Sequence, residues 1–308
     1  MNNPISDHGV QSSTLDSDLT SLLGFHAAAQ KTIAPFRISL SQLTTLQWSL
    51  AEEVSQLKQA GFDAIGLWRP KLTEFGERHA AEALAKARLP VSSLSFAGGF
   101  TGGCGFSYLE AIEDGCQAID QAVIVGAKTV VVVGGSRHGH TDRHSIRLVV
   151  DGLRRLAEHA ERTPVNLSLL PMHRYFNKRW TFLNSLDQTL EVLSAVDRPQ
   201  VGLAFDTYHL WEEPRLQERI AEIAPLTNIV QLSDSNRLPN SEQDRRMPGD
   251  GIIPLPDLIQ AFQSSGYAGY FDIQVWSGNV WKSNYTHLIE QSHAAVKGMS
   301  LRVATPKQ

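Results

Sequence analysis

The sequence predicts an α/β protein of the (β/α)8 TIM barrel class, on three observations. Eight short apolar stretches recur between Arg37 and Trp276, with amphipathic segments between them. Several stretches are near-continuous apolar runs, as in "KTVVVVGG" at 128–135, the pattern of a parallel sheet covered on its outer face. Eight strand–helix units over roughly 265 residues match the size of such a barrel, typically about 250. A doubly wound open sheet is the competing architecture, but it prefers a glycine fingerprint after its first strand. "SLSQLTTLQWS" carries none.

Residues 1–34 carry few core signals and read as an N-terminal extension, with a short helix near Leu19–Gln30; the barrel is assigned to 35–308. The strands follow in order as "RISLSQL" (37–43), "DAIGLW" (63–68), "VSSLSF" (91–96), "KTVVVVGG" (128–135), "VNLSLL" (165–170), "VGLAF" (201–205), "NIVQLS" (228–233) and "YFDIQVW" (270–276). The first helix is announced by Ser49 with Glu52 three residues on, by apolar residues at 50, 54 and 57, and by Gly61 at its end. "YLEAIEDGCQAIDQAVIVGA" and "HSIRLVVDGLRRLAEHAER" are equally periodic. "SLDQTLEVLSAVD", "RLQERIAEIAP", "LPDLIQAFQSSGY" and "NYTHLIEQSHAAVKGM" follow the later strands.

Bulk properties narrow the function classes. The 308 residues are 42% hydrophobic and 19% charged, with a net charge of −4, so the global field does not favour a nucleic-acid backbone. Two cysteines, Cys104 and Cys116, imply no disulfide framework and a reducing compartment. The polar N-terminus lacks the signal-peptide pattern, and no apolar run approaches the roughly 20 residues that span a membrane. The expectation is a cytoplasmic protein with neither nucleic acid nor membrane as partner.

In this barrel class, chemistry sits where strands end and the following loops begin. Trp68 and Arg69 end the second strand; the indole suits a sugar face and the guanidinium a phosphate or carboxylate, or else they are a packed indole and a surface arginine. His138 and His140 follow the fourth strand and His173 the fifth. His138 and His140, two residues apart, could with Asp206 form a zinc site with an open position, or these histidines, His144 included, simply line a polar mouth. Asp206 and His209 follow the sixth strand, Gln231 and Asp234 end the seventh, and Gln274 and Trp276 end the eighth. Arg246 lies in "DRRMPGDG", in a loop that could face the pocket. The glycine-rich "AGGFTGGCGF" (97–106) could be a mobile lid, a phosphate cradle or a tight turn. Trp276 and Trp281 suit a hydrophobic wall, a core or an oligomer contact.

"DTYH", "QLSD", "R..PGDG" and "Y.GYFDI.V", in this order, resemble the sugar phosphate isomerase/epimerase group, the xylose isomerase-like TIM barrels, over about residues 36–298. The resemblance implies a divalent cation held by Glu, Asp, His and Glu at the ends of strands five to eight, with carboxylates moving a proton between adjacent carbons. It also implies a homo-oligomer. The sequence departs from that set. Its four positions read Leu170, Asp206, Gln231 and Gln274, so a formal charge of −3, from two glutamates and an aspartate, falls to −1 from Asp206 alone. Leucine offers no donor, and an amide is neither charged nor a base near neutral pH. The expectation is therefore no metal and no cofactor. Asp206 and His209 are the catalytic candidates in a pocket for a sugar-like small molecule, phosphorylated or not. A non-catalytic sugar-binding pseudoenzyme or interaction subunit is the alternative. Repair nucleases that share this fold need several metal ions and a basic face.

Overall fold

The structure is a computed structural model that describes Met1, residues 36–103 and residues 105–301. The extension assigned to 1–34, save Met1, its helix at Leu19–Gln30, and Cys104 lie outside the described residues.

Eight parallel strands close on themselves in sequence order. They are β1 (Arg37–Ser41), β2 (Ala64–Trp68), β3 (Val91–Gly98), β4 (Thr129–Val133), β5 (Asn166–Leu169), β6 (Val201–Asp206), β7 (Thr227–Leu232) and β8 (Tyr270–Ile273). The helices between them are α1 (Leu50–Ala60), α2 (Arg69–Phe75), α3 (Glu77–Ala87), α4 (Tyr108–Val125), α5 (Asp142–Ala160), α6 (Leu186–Val196), the single turn α7 (Thr207–Leu210), α8 (Leu216–Ile223) and α9 (Leu255–Ser264). The last helix, α10 (Tyr285–Leu301), follows β8. The (β/α)8 barrel is thus the observed fold.

Local sequence explains the ends of these elements. Ser49 caps α1 in a reciprocal box with Glu52, and Gly61 closes it in a left-handed conformation at φ 84°, one that costs glycine nothing. Helices α2 and α3 have no counterpart in the sequence reading. They break at Gly76, and α3 buries only Ala80 and Leu84, too thin an apolar face to show as a period. The glycine-rich loop is tightly packed at Gly98 and Gly103, while Gly105 has open space around it and Phe106 is exposed. A Cβ on Gly98 would lie 2.1 Å from the Val133 carbonyl and one on Gly103 2.1 Å from Ser136 Oγ, so only glycine fits at these two positions.

Alternation along each strand sorts the core. Leu40, Leu67, Val132, Leu169, Phe205, Leu232 and Ile273 belong to the large cluster that packs against the helices. The intervening residues fill the barrel: Val131, Val133, Ala204 and Ile229 form a smaller apolar cluster there. Ser39 donates to Asp272 Oδ1 at 2.6 Å, both buried. Pairing sets the heights at one end, with Asp206 opposite Gln231 and Leu232 opposite Ile273, the residue before Gln274. Three of the four positions singled out above therefore meet at the mouth of the barrel.

Candidate active site

The sixth strand ends on Asp206 because its carboxylate caps α7. Oδ1 accepts from the Tyr208 amide at 2.9 Å, satisfying a donor that the one-turn helix leaves open. The turn brings His209 back, with Nε2 3.9 Å from Asp206 Oδ2. A guanidinium bonds to both. Arg245 Nη1 donates to Asp206 Oδ2 at 2.8 Å, Ser233 Oγ at 3.2 Å and the Gln274 carbonyl at 3.4 Å. Its Nη2 lies 3.0 Å from His209 Nε2. The guanidinium carbon stands 4.5 Å over the Tyr208 ring, and the Tyr208 hydroxyl donates to Asp244.

Beside this cluster, Gln231 Nε2 donates to Gln274 Oε1 at 2.8 Å. Both side chains are buried, and Gln231 Oε1 has no partner among the described residues. The two amides thus engage each other.

The charge states follow from the partners. Arginine only donates, so His209 Nε2 must accept and its proton sits on Nδ1. That Nδ1 is buried and finds no partner among the described residues. Burial, followed by the Arg245 charge and His173, holds the His209 pKa well below the ordinary imidazole value. His209 is therefore a neutral ring near pH 7. Complete burial pushes the Asp206 carboxyl up, and Arg245 and the Tyr208 and His209 amides oppose that rise.

Above the cluster opens a pocket of about 420 Å³, its opening to solvent included. Leu170, Met172 and Phe176 are its buried walls, with Phe176 4.9 Å from the His209 ring. Trp180 lies 6.1 Å from Phe96 and 6.2 Å from Trp276, giving a half-buried aromatic rim. Glu242 also lines it. Its Oε1 accepts from Trp180 Nε1 at 3.0 Å and lies 3.1 Å from Arg179 Nη1.

The statistical description of the xylose isomerase-like TIM barrel matches residues 54–299. The chain belongs to that family. Its similarity to individual members is distant. It is 23% identical over 260 residues to the inosose isomerase of Bacillus velezensis, covering 80% of this chain and 90% of that one. It is 25% identical over 240 residues to the 3-dehydro-D-guloside 4-epimerase of Escherichia coli, covering 72% and 85%. Among solved structures, protein SMc04130 of Sinorhizobium meliloti superposes with a TM-score of 0.79 at 26% identity, covering 85% of this chain and 98% of the other.

Of the family positions read from sequence, Asp206, Gln231 and Gln274 meet at the base of the pocket and Leu170 lines its wall. His209 and Trp276 line the same pocket. His173 stands near His209 and caps a short turn, its Nδ1 accepting from the Tyr175 amide at 3.3 Å. Other candidates go elsewhere. Arg69 turns away to Asp114 and Gln121, each at 2.8 Å, and to the Phe96 carbonyl at 3.1 Å. Trp68 is half-buried beside it, and its amide donates to Gln42 Oε1. Asp234 is an organiser of its own loop, accepting from the amides of Ser235, Gly249 and Ile253. His138 and His140 together line two outer clefts and not this pocket, and His140 packs on His144 at 4.7 Å. Among the described residues no group of three or more His, Cys, Asp or Glu is gathered as for a metal, so the zinc set of His138 and His140 with Asp206 does not assemble.

The arginine assignment is corrected by one residue. Arg246 pairs its backbone antiparallel with Asp234 and is exposed, while Arg245 is buried against Asp206. Adjacent residues of an extended segment face opposite sides, so the Asp234–Arg246 pairing sends Arg245 inward. Sequence reasoning also missed Glu242, Trp180, Met172 and Phe176. They come from loops and, for Phe176, a single 3-10 turn at Arg174–Phe176, where no period marks the inward face.

Proposed function

We propose that this chain acts on a sugar- or polyol-like small molecule at the mouth of its barrel, as an isomerase- or epimerase-type enzyme that works without a divalent cation. One observation carries the reading: the Arg245 guanidinium is bonded to both Asp206 and His209, at 2.8 and 3.0 Å. The donors there do not fit a hard dication, which selects its site by anionic oxygens and geometry. Leu170 has no donor atom, Gln231 and Gln274 are bonded to each other, and Asp206 is already neutralised by a fixed positive charge. An added dication would stand against that charge in a buried setting, where repulsion is weakly screened.

The substrate class draws support from the relatives whose names specify an inosose and a 3-dehydro-guloside, and from Trp180 and Trp276 on the rim. Indole faces suit the apolar face of a sugar ring, and the polar groups beneath suit its oxygens. No described helix is long and apolar enough to cross a membrane, and the chain's two cysteines fit a reducing, cytoplasmic setting.

A second reading, a sugar-binding protein without turnover, draws on a different detail. Both oxygens of Asp206 are engaged, by the Tyr208 amide and by Arg245, so this carboxylate is not a free base. The two readings part in one experiment. Chelator-treated protein is incubated with ketohexoses, inososes and 3-keto-glycosides, and the sugars are followed by NMR alongside thermal melting. Turnover that survives the chelator is expected. A raised melting temperature with no product would favour the binder, and neither effect would remove both readings.

A further inference from the structure

We propose that Glu242 is the proton-transfer base of this pocket and Arg245 its electrophile, acting on a substrate with a ketone next to a carbon that bears hydrogen. The inference rests on the reading that the pocket turns over a keto sugar or keto polyol.

The argument starts from what the pocket lacks. Moving a proton between adjacent carbons needs a base and a positive group for the oxygen that gains charge. Leu170 and Gln274 supply no base. Asp206 has both oxygens occupied, and the neutral His209 already uses its acceptor nitrogen toward Arg245. Among the residues that line the pocket, Glu242 is the one carboxylate. It is three-quarters buried, and the rim indole of Trp180 holds it through Nε1 at 3.0 Å, so its placement is fixed by a wall of the pocket itself.

Arg245 supplies the other half. It lines the same pocket, and its Nε–H and second Nη2–H meet no acceptor among the described residues. The rest of the guanidinium is anchored by Asp206, Ser233, His209 and the Gln274 carbonyl, so it is oriented before any ligand arrives. Preorganised donors of this kind favour a developing oxyanion.

The step balances without a co-reactant. Glu242 takes the proton from the carbon beside the ketone. The C–H electron pair becomes the new carbon–carbon π bond, the carbonyl π pair moves to oxygen, and the resulting enolate oxygen is held by Arg245 N–H groups. Protonation of that carbon on its opposite face by a water molecule, with the Glu242 proton passing to the hydroxide left behind, gives the epimer. Delivery of the Glu242 proton to the carbonyl carbon, with the neighbouring hydroxyl proton moved to oxygen, gives the isomer.

The test measures exchange of the carbon-bound hydrogen for deuterium in D2O, with D-fructose and scyllo-inosose as probes. Wild type, Glu242→Gln, Arg245→Ala and Arg245→Lys are compared, with folding checked by circular dichroism. Glu242→Gln lies at the rim and should fold as wild type. It is expected to lose about 100-fold or more in kcat, the scale of a missing general base, with KM changed by less than about threefold. Arg245→Ala should lose exchange and regain at least about tenfold of it in millimolar guanidinium chloride, but not in Mn²⁺. Arg245→Lys keeps the charge without the planar fork and should stay folded yet slow. Wild-type exchange with Glu242→Gln unaffected would overturn the pair alone, as would rescue of Arg245→Ala by Mn²⁺ in preference to guanidinium. A wild type that exchanges neither probe would instead overturn the functional reading together with the pair.

Discussion

Arg245 and Asp206 form a buried ion pair at 2.8 Å, their side chains 7% and 0% exposed. The pair stands at the end of β6, where the resemblance expects a carboxylate to hold a cation. Here the carboxylate holds a cation that belongs to the chain. A buried pair contributes little net stability, because desolvation offsets attraction, but losing one partner strands the other charge.

The stability of variants should show that coupling. Asp206→Asn and Arg245→Met are each expected to cost about 3–5 kcal/mol in urea unfolding, and the double variant well under the sum of the two. Strictly additive losses would contradict the pairing.

A second buried carboxylate governs the pH response. Asp272 lies inside the barrel against Ser39, and burial pushes its pKa up from 3.8 to about 7. The folded state therefore binds this proton more tightly than the unfolded chain does. Its contribution is fully present below pH 3.8 and is lost as pH rises through about 7. Asp272→Asn should remove this loss, leaving the variant more stable than wild type by a few kcal/mol at pH 8 relative to pH 4. Thermal unfolding across that range measures the difference, and parallel pH profiles would contradict it.

Arg69 separates a structural from a ligand-binding arginine. Its bonds to Asp114, Gln121 and the Phe96 carbonyl join the start of α2 to β3 and α4. Arg69→Met is expected to lower stability by about 1.5–3 kcal/mol, the scale of hydrogen bonds to a charged group. Ligand affinity in the same variant should stay within about twofold, a difference of under 0.5 kcal/mol. A folded variant with its stability unchanged and its affinity abolished would reverse the assignment.

These assignments show how far the sequence could be read. The eight strands were legible because they are short apolar runs, several near-continuous since both of their faces are buried, and α1 because Ser49, Glu52 and Gly61 mark both ends. The ends of β6, β7 and β8 were legible because Asp206, Gln231 and Gln274 fall at the C-terminal ends of their strands, Asp206 in register with Gln231 and Gln274 two residues past Asp272, the partner of Gln231. The rest of the site was not. The R of the R..PGDG pattern falls on Arg245, but Arg246 beside it is of the same type, and the pairing of Arg246 with Asp234 is what shows Arg245 to be the buried one. Glu242 and Trp180 sit on loops, and Phe176 on a single 3-10 turn, whose inward sides depend on tertiary contacts such as the Trp180–Glu242 bond.

The aromatic rim should contribute to ligand affinity. Trp180→Ala and Trp276→Ala each remove one stacking face, about 1 kcal/mol beyond area alone, or roughly fivefold in Kd. Fluorescence titration with the sugar identified by the melting screen reads this out. Equal affinity in both variants would place the ligand elsewhere.

The central claim is that Arg245 occupies the place of the cation. Elemental analysis of the full chain, purified without chelator and dialysed against Mn²⁺, Zn²⁺ and Co²⁺ in turn, tests it most directly. The account predicts far less than one equivalent of any divalent metal per chain, and unchanged activity after chelation. One tightly held equivalent that is lost in Asp206→Asn would contradict it.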